Sequence, residues 1–358
     1  MKTSSQPLVS IVTPAYNGAE YLDECIQSIL AQRYQNWDYT FVDNCSTDGS
    51  AGIARRYAGK DPRIRVHENP NFLPVISNHN AALRLISPSS KYCKVVFADD
   101  WIFPDCLEEM VAVAEEHPSA GIVGAYTLEG QRVTCTGLPY TRRLVSGREI
   151  CRKHFLNQLY VFGSANSLLY RANLIRGHDP FYNEANIHAD TEVCFALLKS
   201  CDFGFVHRVL TFTRVRAGSL TNVSTDLQTW FAGMLQTLAA HGRHYLTGEE
   251  FEDILDCHLS EYYKYLGKNL MLGRDRNFWD YHKRKMTESG IGYSRLRLAR
   301  GALGTFADVV LNPKNSIEKL LRRRDKRKQG NPRRGSGIES IMTPRSEQTI
   351  QVRGSSAK

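Results

Sequence analysis

No apolar run in the 358 residues approaches the roughly 20 that a membrane-spanning helix needs, which excludes an integral helical membrane protein. The start, Met1-Lys2-Thr3-Ser4-Ser5 running into Leu8–Val12, lacks the central apolar stretch of a secretion leader, so a cytoplasmic location is expected. Nine cysteines are scattered with no C-x-x-C pair, which argues against a zinc ribbon or a disulfide scaffold and fits a reducing compartment. The phosphate-cradling patterns G-x-G-x-x-G and G-x-x-x-x-G-K-[ST] are both missing, so neither a dinucleotide fold nor a P-loop is supported. Disorder throughout is excluded too: 42% of residues are apolar, enough to build a core.

What stands out is the net charge of +9, and it is unevenly placed. Residues 322–358 hold eleven Lys or Arg against three Asp or Glu, a surplus of +8 that leaves +1 for residues 1–321. This basic tail has Gly, Pro and Ser and few apolar residues, so disorder is expected there. A nucleic-acid-binding reading rests on the tail alone. No aromatics interleave its Arg and Lys, so no specific nucleic-acid partner is expected.

Within the first 125 residues, β-rich runs at Leu8–Val12, Tyr39–Val42, Ile64–His67, Lys94–Ala98 and Gly121–Tyr126 alternate with helical periodicity. Tyr21, Leu22, Cys25, Ile26, Ile29 and Leu30 share one helix face. A second helix starts near Asp48-Gly49-Ser50, with Asp48 or Ser50 as its N-cap. Such alternation implies an α/β fold: a Rossmann-like, mostly parallel sheet sandwiched by helices, with ligands beyond the carboxyl ends of its strands. After a soft boundary near 219–225 the pattern turns helical, over 226–241, 247–272 and 275–288. Thr247 and Glu250 are spaced as a capping box. The expected domains are 1–222, a small helical C-terminal region at 223–321, and the tail at 322–358.

Polar residues gather at the expected strand ends. The first strand runs into Thr13-Pro14-Ala15-Tyr16-Asn17-Gly18, where Tyr16 offers a flat face. The second ends in Asp43-Asn44-Cys45-Ser46, a carboxylate and an amide able to read the edges of a nucleobase. Each turn alone reads as connection chemistry; together they favour a nucleotide site. The fourth strand ends in Asp99-Asp100, two adjacent carboxylates that repel each other and lose hydration. A divalent cation, Mn²⁺ or Mg²⁺, offsets both costs when a substrate diphosphate shares it. Because Pro104-Asp105 already supplies the next helix start, this reading outweighs a helix cap. Asp190 in His188-Ala189-Asp190-Thr191-Glu192 suits a helix N-terminus and a cleft-facing carboxylate equally. His188 itself is expected at the surface. His79 and Asn80 fit a pocket lining or helix packing about equally.

Taken in order, these segments resemble family 2 glycosyltransferases of the GT-A fold, over residues 7–222. The resemblance is carried by Val9-Ser10-Ile11-Val12-Thr13-Pro14-Ala15-Tyr16-Asn17, Val42-Asp43-Asn44-Cys45-Ser46-Thr47-Asp48-Gly49, and Asn78-His79-Asn80-Ala81-Ala82. Phe97-Ala98-Asp99-Asp100, Gly163-Ser164, Ala189-Asp190 and Arg214-Val215-Arg216-Ala217-Gly218-Ser219 complete it. The resemblance implies an inverting transfer from a UDP- or dTDP-linked sugar to a hydroxyl of a glycan or lipid-linked acceptor, in cell-surface polysaccharide synthesis. By motif match Pro14, Ala15, Tyr16, Asn17, Asp43, Asn44, Asn80, Asp99 and Arg216 would contact the donor. Asp100 would bind the metal and Asp190 would be the catalytic base. Phe97 and Asn44 stand where aspartate is common in such proteins, and Arg216 where a histidine is frequent. A nucleotidyltransferase is the competing enzyme class, but it normally carries a Gly-rich basic loop where this chain has Pro14-Ala15-Tyr16-Asn17.

Residues 295–311 place Leu296, Ala299, Ala302 or Leu303, Phe306 and Val310 on one helix face, with Arg295, Arg297 and Arg300 at one end. Two readings stand: a helix docked on the protein's own core, or one lying on an anionic membrane together with the basic tail, placing the protein on the cytoplasmic face.

Overall fold

The structure, a computed structural model, describes residues 6–215 and 227–311. The expected domain boundary near 219–225, Arg216 and the basic tail lie outside the described residues. Four strands open the fold: β1 (Val9–Ala15), β2 (Trp37–Asp43), β3 (Ile64–Glu68) and β4 (Tyr92–Val95). Between them run α1 (Ala19–Leu30), α2 (Ser50–Ala58) and α3 (Val75–Leu83). Next come β5 (Trp101–Ile102), α4 (Cys106–Glu116), β6 (Ala120–Glu129), β7 (Arg132–Thr134), β8 (Leu144–Val145) and α5 (Gly147–Phe155). A 3-10 turn at Ala165–Ser167 leads into β9 (Leu168–Arg171), α6 (Ala172–Arg176), α7 (Ala189–Leu197) and β10 (Asp202–Thr213).

One sheet takes the order β3-β2-β1-β4-β9-β6-β10-β5, with β7 on β6 and β8 on β10. β3, β2, β1 and β4 pair in parallel, as do β6 and β10, while β9 runs antiparallel between β4 and β6. The expected α/β sheet flanked by helices is therefore present, but it is mixed, with β5, β7, β8 and β9 antiparallel to their neighbours. Alternation along each strand sends side chains to two cores. Val9, Ile11, Tyr39 and Phe41 pack against Leu22, Ile26 and Ile29 of α1 and Leu107 and Met110 of α4. Val12, Val42, Cys93 and Val95 face Ile76 and Leu83 of α3 and, deeper in the same core, Phe195 of α7.

Several local readings need correction. β1 runs three residues further than Leu8–Val12, through Pro14. Its ladder with β4 has ended at Val12–Val95, so Pro14 occupies a stretch that is an edge on one side, where a strand tolerates a missing donor. β4 stops at Val95, short of Ala98. The cap position of α2 is Gly49, in the left-handed region at φ 94, so neither Asp48 nor Ser50 is its N-cap residue, although the Asp48 carboxylate accepts from Ser50 N–H at the helix start. Asp105 precedes α4 without capping it; its carboxylate pairs with Arg33 and Arg208 instead.

The helical region holds α8 (Thr229–Tyr245), α9 (Gly248–Met271), α10 (Arg276–Glu288) and α11 (Arg295–Leu311). Thr247 and Glu250 form the expected capping box. A third core joins α8, α9 and α10 through Leu235, Tyr262, Leu266, Phe278 and Met286. This region also shares the sheet's own core, because Leu238, Tyr245 and Phe251 pack there and Tyr245 donates to the Phe195 carbonyl at 2.5 Å. No helix among the described residues is long and apolar enough to cross a membrane.

Candidate active site

The carboxyl edge of the sheet begins with two cross-tied turns. Asn17, left-handed at φ 52, takes a hydrogen bond from Thr47 N–H on its Oδ1 and donates its own N–H to Ser46 Oγ. Asp48 accepts from Ala19 N–H with one oxygen and Ser50 N–H with the other, so one carboxylate serves the first turns of α1 and α2. Above these ties Tyr16 projects from the end of β1, 41% exposed, with Phe72 edge-on to its ring at 5.0 Å. Pro14 and Ala15 lie in the strand, opposite Val42 and Asp43. Asp43 is buried: one oxygen accepts from Ser46 N–H, and the other has no partner among the described residues.

Asn44 and Asn80, both expected as donor contacts, are largely spent on protein groups. Asn44 Oδ1 accepts from Leu73 N–H and Asn69 Nδ2, and its Nδ2 donates to the Leu73 carbonyl. Asn80 accepts from Tyr182 N–H and donates to the Tyr182 carbonyl and Glu184 Oε1. Both amides imitate a backbone partner, and each clamps a loop beside the edge. His79 stacks on Phe97 with ring centroids 5.5 Å apart, and burial pushes it down to about 4.

Asp99 and Asp100 follow β4 at the middle of this edge. Asp100 is only 3% exposed; it accepts from Arg214 N–H at 2.9 Å on Oδ1 and faces Thr213 Oγ1 with Oδ2. Burial, reinforced by the neighbouring Asp99 charge, pushes its carboxyl up to about 7. Arg214, at the end of β10, binds the edge together: its Nε donates to the Asp99 carbonyl, its guanidinium lies 4.1 Å over Tyr21, and Nη2 reaches Glu24 of α1 at 2.6 Å. This role for Arg214 was not read from the sequence. Its adjacency to Arg216 in the last motif was the available signal.

Hard oxygen donors of this kind fit Mg²⁺ or Mn²⁺, which bind through one or two carboxylates plus substrate phosphates. No group of three or more His, Cys, Asp or Glu able to hold a metal forms among the described residues. A cation here would therefore depend on the ligand's own oxygens.

Asp190 reaches the same edge by a different route. Since β9 is antiparallel to β4 and β6, its beginning rather than its end lies at their carboxyl side. There the 3-10 turn at Ala165–Ser167 turns its Ala165 N–H toward Asp190, and Thr191 N–H donates to Asp190 Oδ1 at 2.8 Å. Burial nevertheless prevails and pushes the carboxyl up to about 6. Lys94 of β4, wholly buried, secures this turn by donating to the carbonyls of Asn166 at 2.5 Å and Leu168 at 3.1 Å. His188 is not a surface residue: its Nε2 lies 3.0 Å from Thr229 Oγ1, its ring meets Trp230 edge-on, and burial pushes it down to about 4. It docks α8 rather than facing solvent.

A covered α/β sheet with carboxylates gathered at its carboxyl edge is the layout of an enzyme that works on a ligand held there. Residues 10–176, just under half of the chain, match the sequence profile of Glycosyl transferase family 2, which marks this stretch as a glycosyltransferase domain of that kind. It is 32% identical over 130 residues to the putative teichuronic acid biosynthesis glycosyltransferase TuaG of Bacillus subtilis, covering 36% of this chain and 50% of that protein. It is 35% identical over 122 residues to the putative glycosyltransferase EpsE of the same organism, covering 34% and 43%. An uncharacterized protein, y4gI of Sinorhizobium fredii, is 34% identical over 151 residues, covering 42% of this chain and 15% of its own length. The chain thus spans half or less of these relatives. Residues 1–349 of S. aureus TarS, solved with UDP-GlcNAc, share the fold with a TM-score of 0.58 at 16% identity, covering 82% of this chain and 87% of that one.

Proposed function

We propose that the protein transfers a sugar from a nucleoside diphosphate sugar to a hydroxyl of a glycan or lipid-linked acceptor, with inversion, in polysaccharide synthesis. The observation that carries this reading is one sheet edge that gathers the Asp99-Asp100 pair, of which Asp100 is buried, and the half-buried Asp190. The unpartnered Asp43 oxygen and the exposed ring of Tyr16 support a nucleobase at the β1–β2 end of that edge. The similarity to TuaG, named for teichuronic acid biosynthesis, supports the polysaccharide context, and the fold shared with a UDP-GlcNAc-bound protein supports a UDP-linked donor over a dTDP-linked one. Asp99 and Asp100 would hold a divalent cation. When bound, it supplies positive charge to the departing diphosphate.

In the transfer, Asp190 takes the acceptor hydroxyl proton as that oxygen attacks the anomeric carbon. The bond from that carbon to the diphosphate oxygen breaks, and its electron pair leaves with the diphosphate. One displacement from the opposite face inverts the centre, and no covalent sugar–protein bond forms. A carboxyl held near 6 is suited to this work, since a base is most effective with a pKa close to the working pH. Asn17, Asn44 and Asn80 hold the surrounding loops in place. The test is nucleoside diphosphate release from UDP-, GDP- and dTDP-sugars, with Mn²⁺ and with a chelator. Release from a UDP-sugar that is lost on chelation is expected; no release from any donor overturns the reading.

A further inference from the structure

We infer that the outer face of α11 is a docking surface for an anionic lipid bilayer. It is independent of the transfer chemistry and rests on how α11 is packed.

The two faces of α11 differ sharply. One is fastened to α9 at a crossing of small residues: a Cβ on Gly301 would strike the Tyr263 carbonyl, and one on Gly267 would strike the Ala302 backbone. Ser294 N–H donates to Tyr263 Oη at 2.6 Å, Arg297 pairs with Asp256 at 2.9 Å, and Leu298 packs on the third core. The helix is therefore held by its own protein, and the docked reading of the sequence is correct for Gly301 and Ala302. That contact does not use the rest of the apolar set. Leu296, Leu303 and Phe306 are 62%, 69% and 57% exposed. At 100° per residue they form, with Ala299, one stripe about 80° wide on the outer side. One turn past the crossing, α9 ends in Leu270, Met271 and Leu272, each about half exposed.

Charge decides what covers the stripe. Arg295 and Arg300 are exposed and flank it on opposite sides of the wheel, and the chain continues past Leu311 toward 322–358 with its surplus of +8. Two copies meeting through this face would oppose arginines to arginines. Three or four side chains also fall far short of the about 800 Å² per partner that a stable interface buries. An anionic surface answers both features, because the stripe enters only the headgroup and acyl boundary while each flanking cation meets lipid charge. A helix lying flat needs a narrow apolar stripe edged by basic residues, which is the pattern on α11.

The test is co-sedimentation of the full chain with vesicles of phosphatidylcholine alone and of phosphatidylcholine with phosphatidylglycerol. Wild type is expected to pellet only with the anionic vesicles, and less so as salt rises. The double variant Leu303→Glu/Phe306→Glu changes two exposed residues, so folding is kept. It should lower partitioning about tenfold or more, with an unaltered melting curve and unaltered nucleotide release. Arg295→Gln/Arg300→Gln should lower it about fivefold per charge on anionic vesicles. No pelleting of the wild type overturns the inference, as does equal pelleting of wild type and Leu303→Glu/Phe306→Glu, which would assign binding to the basic tail alone. Dimerisation of the wild type that this variant abolishes, without vesicle binding, would assign the face to a second copy and overturn it too.

Discussion

The carboxyl edge of the sheet and the outer face of α11 break opposite rules. At the edge, carboxylates are taken out of water: Asp100 is nearly buried and Asp190 is raised by the same cause, so charge sits where solvation would not put it. On α11, large apolar side chains stay in water although the helix has a core to dock on. Each arrangement costs stability, and each is surrounded by structure that follows the rules closely. Places where local consistency fails inside an otherwise consistent fold are where function is to be sought. The two differ in what would relieve them: a cation and a proton at the edge, and a lipid surface on the helix.

The largest expected effect breaks the edge. Asp190→Asn keeps the shape and one acceptor oxygen but removes the proposed base, so the transfer rate should fall about 10²–10⁴-fold. In the wild type, kcat at saturating donor should fall about tenfold for each pH unit below about 6, because only the ionised carboxylate accepts a proton. A pH–rate profile of both proteins checks this. If the acidic limb persists unchanged in Asp190→Asn, the base lies elsewhere. Substitutions on α11 leave this profile alone, which separates the two regions.

Asp100 sharpens the comparison through stability. Its carboxyl is near 7 in the folded chain and near 3.9 in an unfolded one, so the folded state holds the proton more tightly. The group's contribution is full below about pH 4 and is lost as the pH rises to about 7, where ionisation must occur in a buried place. Asp100→Asn removes that loss. With a chelator present, the variant should be more stable than wild type by on the order of 2–4 kcal/mol at pH 8, with the gap closing toward pH 4. Urea unfolding at the two pH values measures it. A gap that does not change with pH would mean that the burial of this charge is not what strains the edge.

How much of this could be read in the sequence depended on how local the cause was. The strands β1, β2, β3, β4 and β6 were legible, because each is a short apolar run next to a helix of clear period. So was the capping box of Thr247 and Glu250, a signal complete within four residues. β5, β7, β8, β9 and β10 were not read. β9 is four residues long and enters the sheet antiparallel, a choice made by tertiary packing. At the site, Asp43, Asp99 and Asp100 could be found from their positions after strands and Asp190 only through the family resemblance, whereas the partners of Asn44 and Asn80 could not be found. Asn80 is tied to Tyr182, 102 positions away, and nothing near an asparagine in sequence shows that its amide is already engaged. His188 was misjudged for the same reason, since Thr229 and Trp230 bury it from another helix.

The smallest expected effect tests the other side of the comparison, whether α11 presents its apolar stripe because it is held. At the crossing the backbones of α9 and α11 approach so closely that neither glycine has room for a side chain. Gly301→Leu must push the helices apart or detach α11, since the obstacle is the Tyr263 carbonyl and not a side chain that can turn aside. Overpacking of this kind typically costs about 1–3 kcal/mol. Part of it will be offset, because leucine favours a helix over glycine by roughly 0.5–1 kcal/mol. Amide hydrogen exchange should therefore quicken along α11 and the Tyr263–Gly267 stretch of α9, while β1, β4 and their edge stay protected. Exchange that quickens across the sheet as well would show that the helical region and the sheet open as one unit, through the packing of Leu238, Tyr245 and Phe251 into the sheet's core.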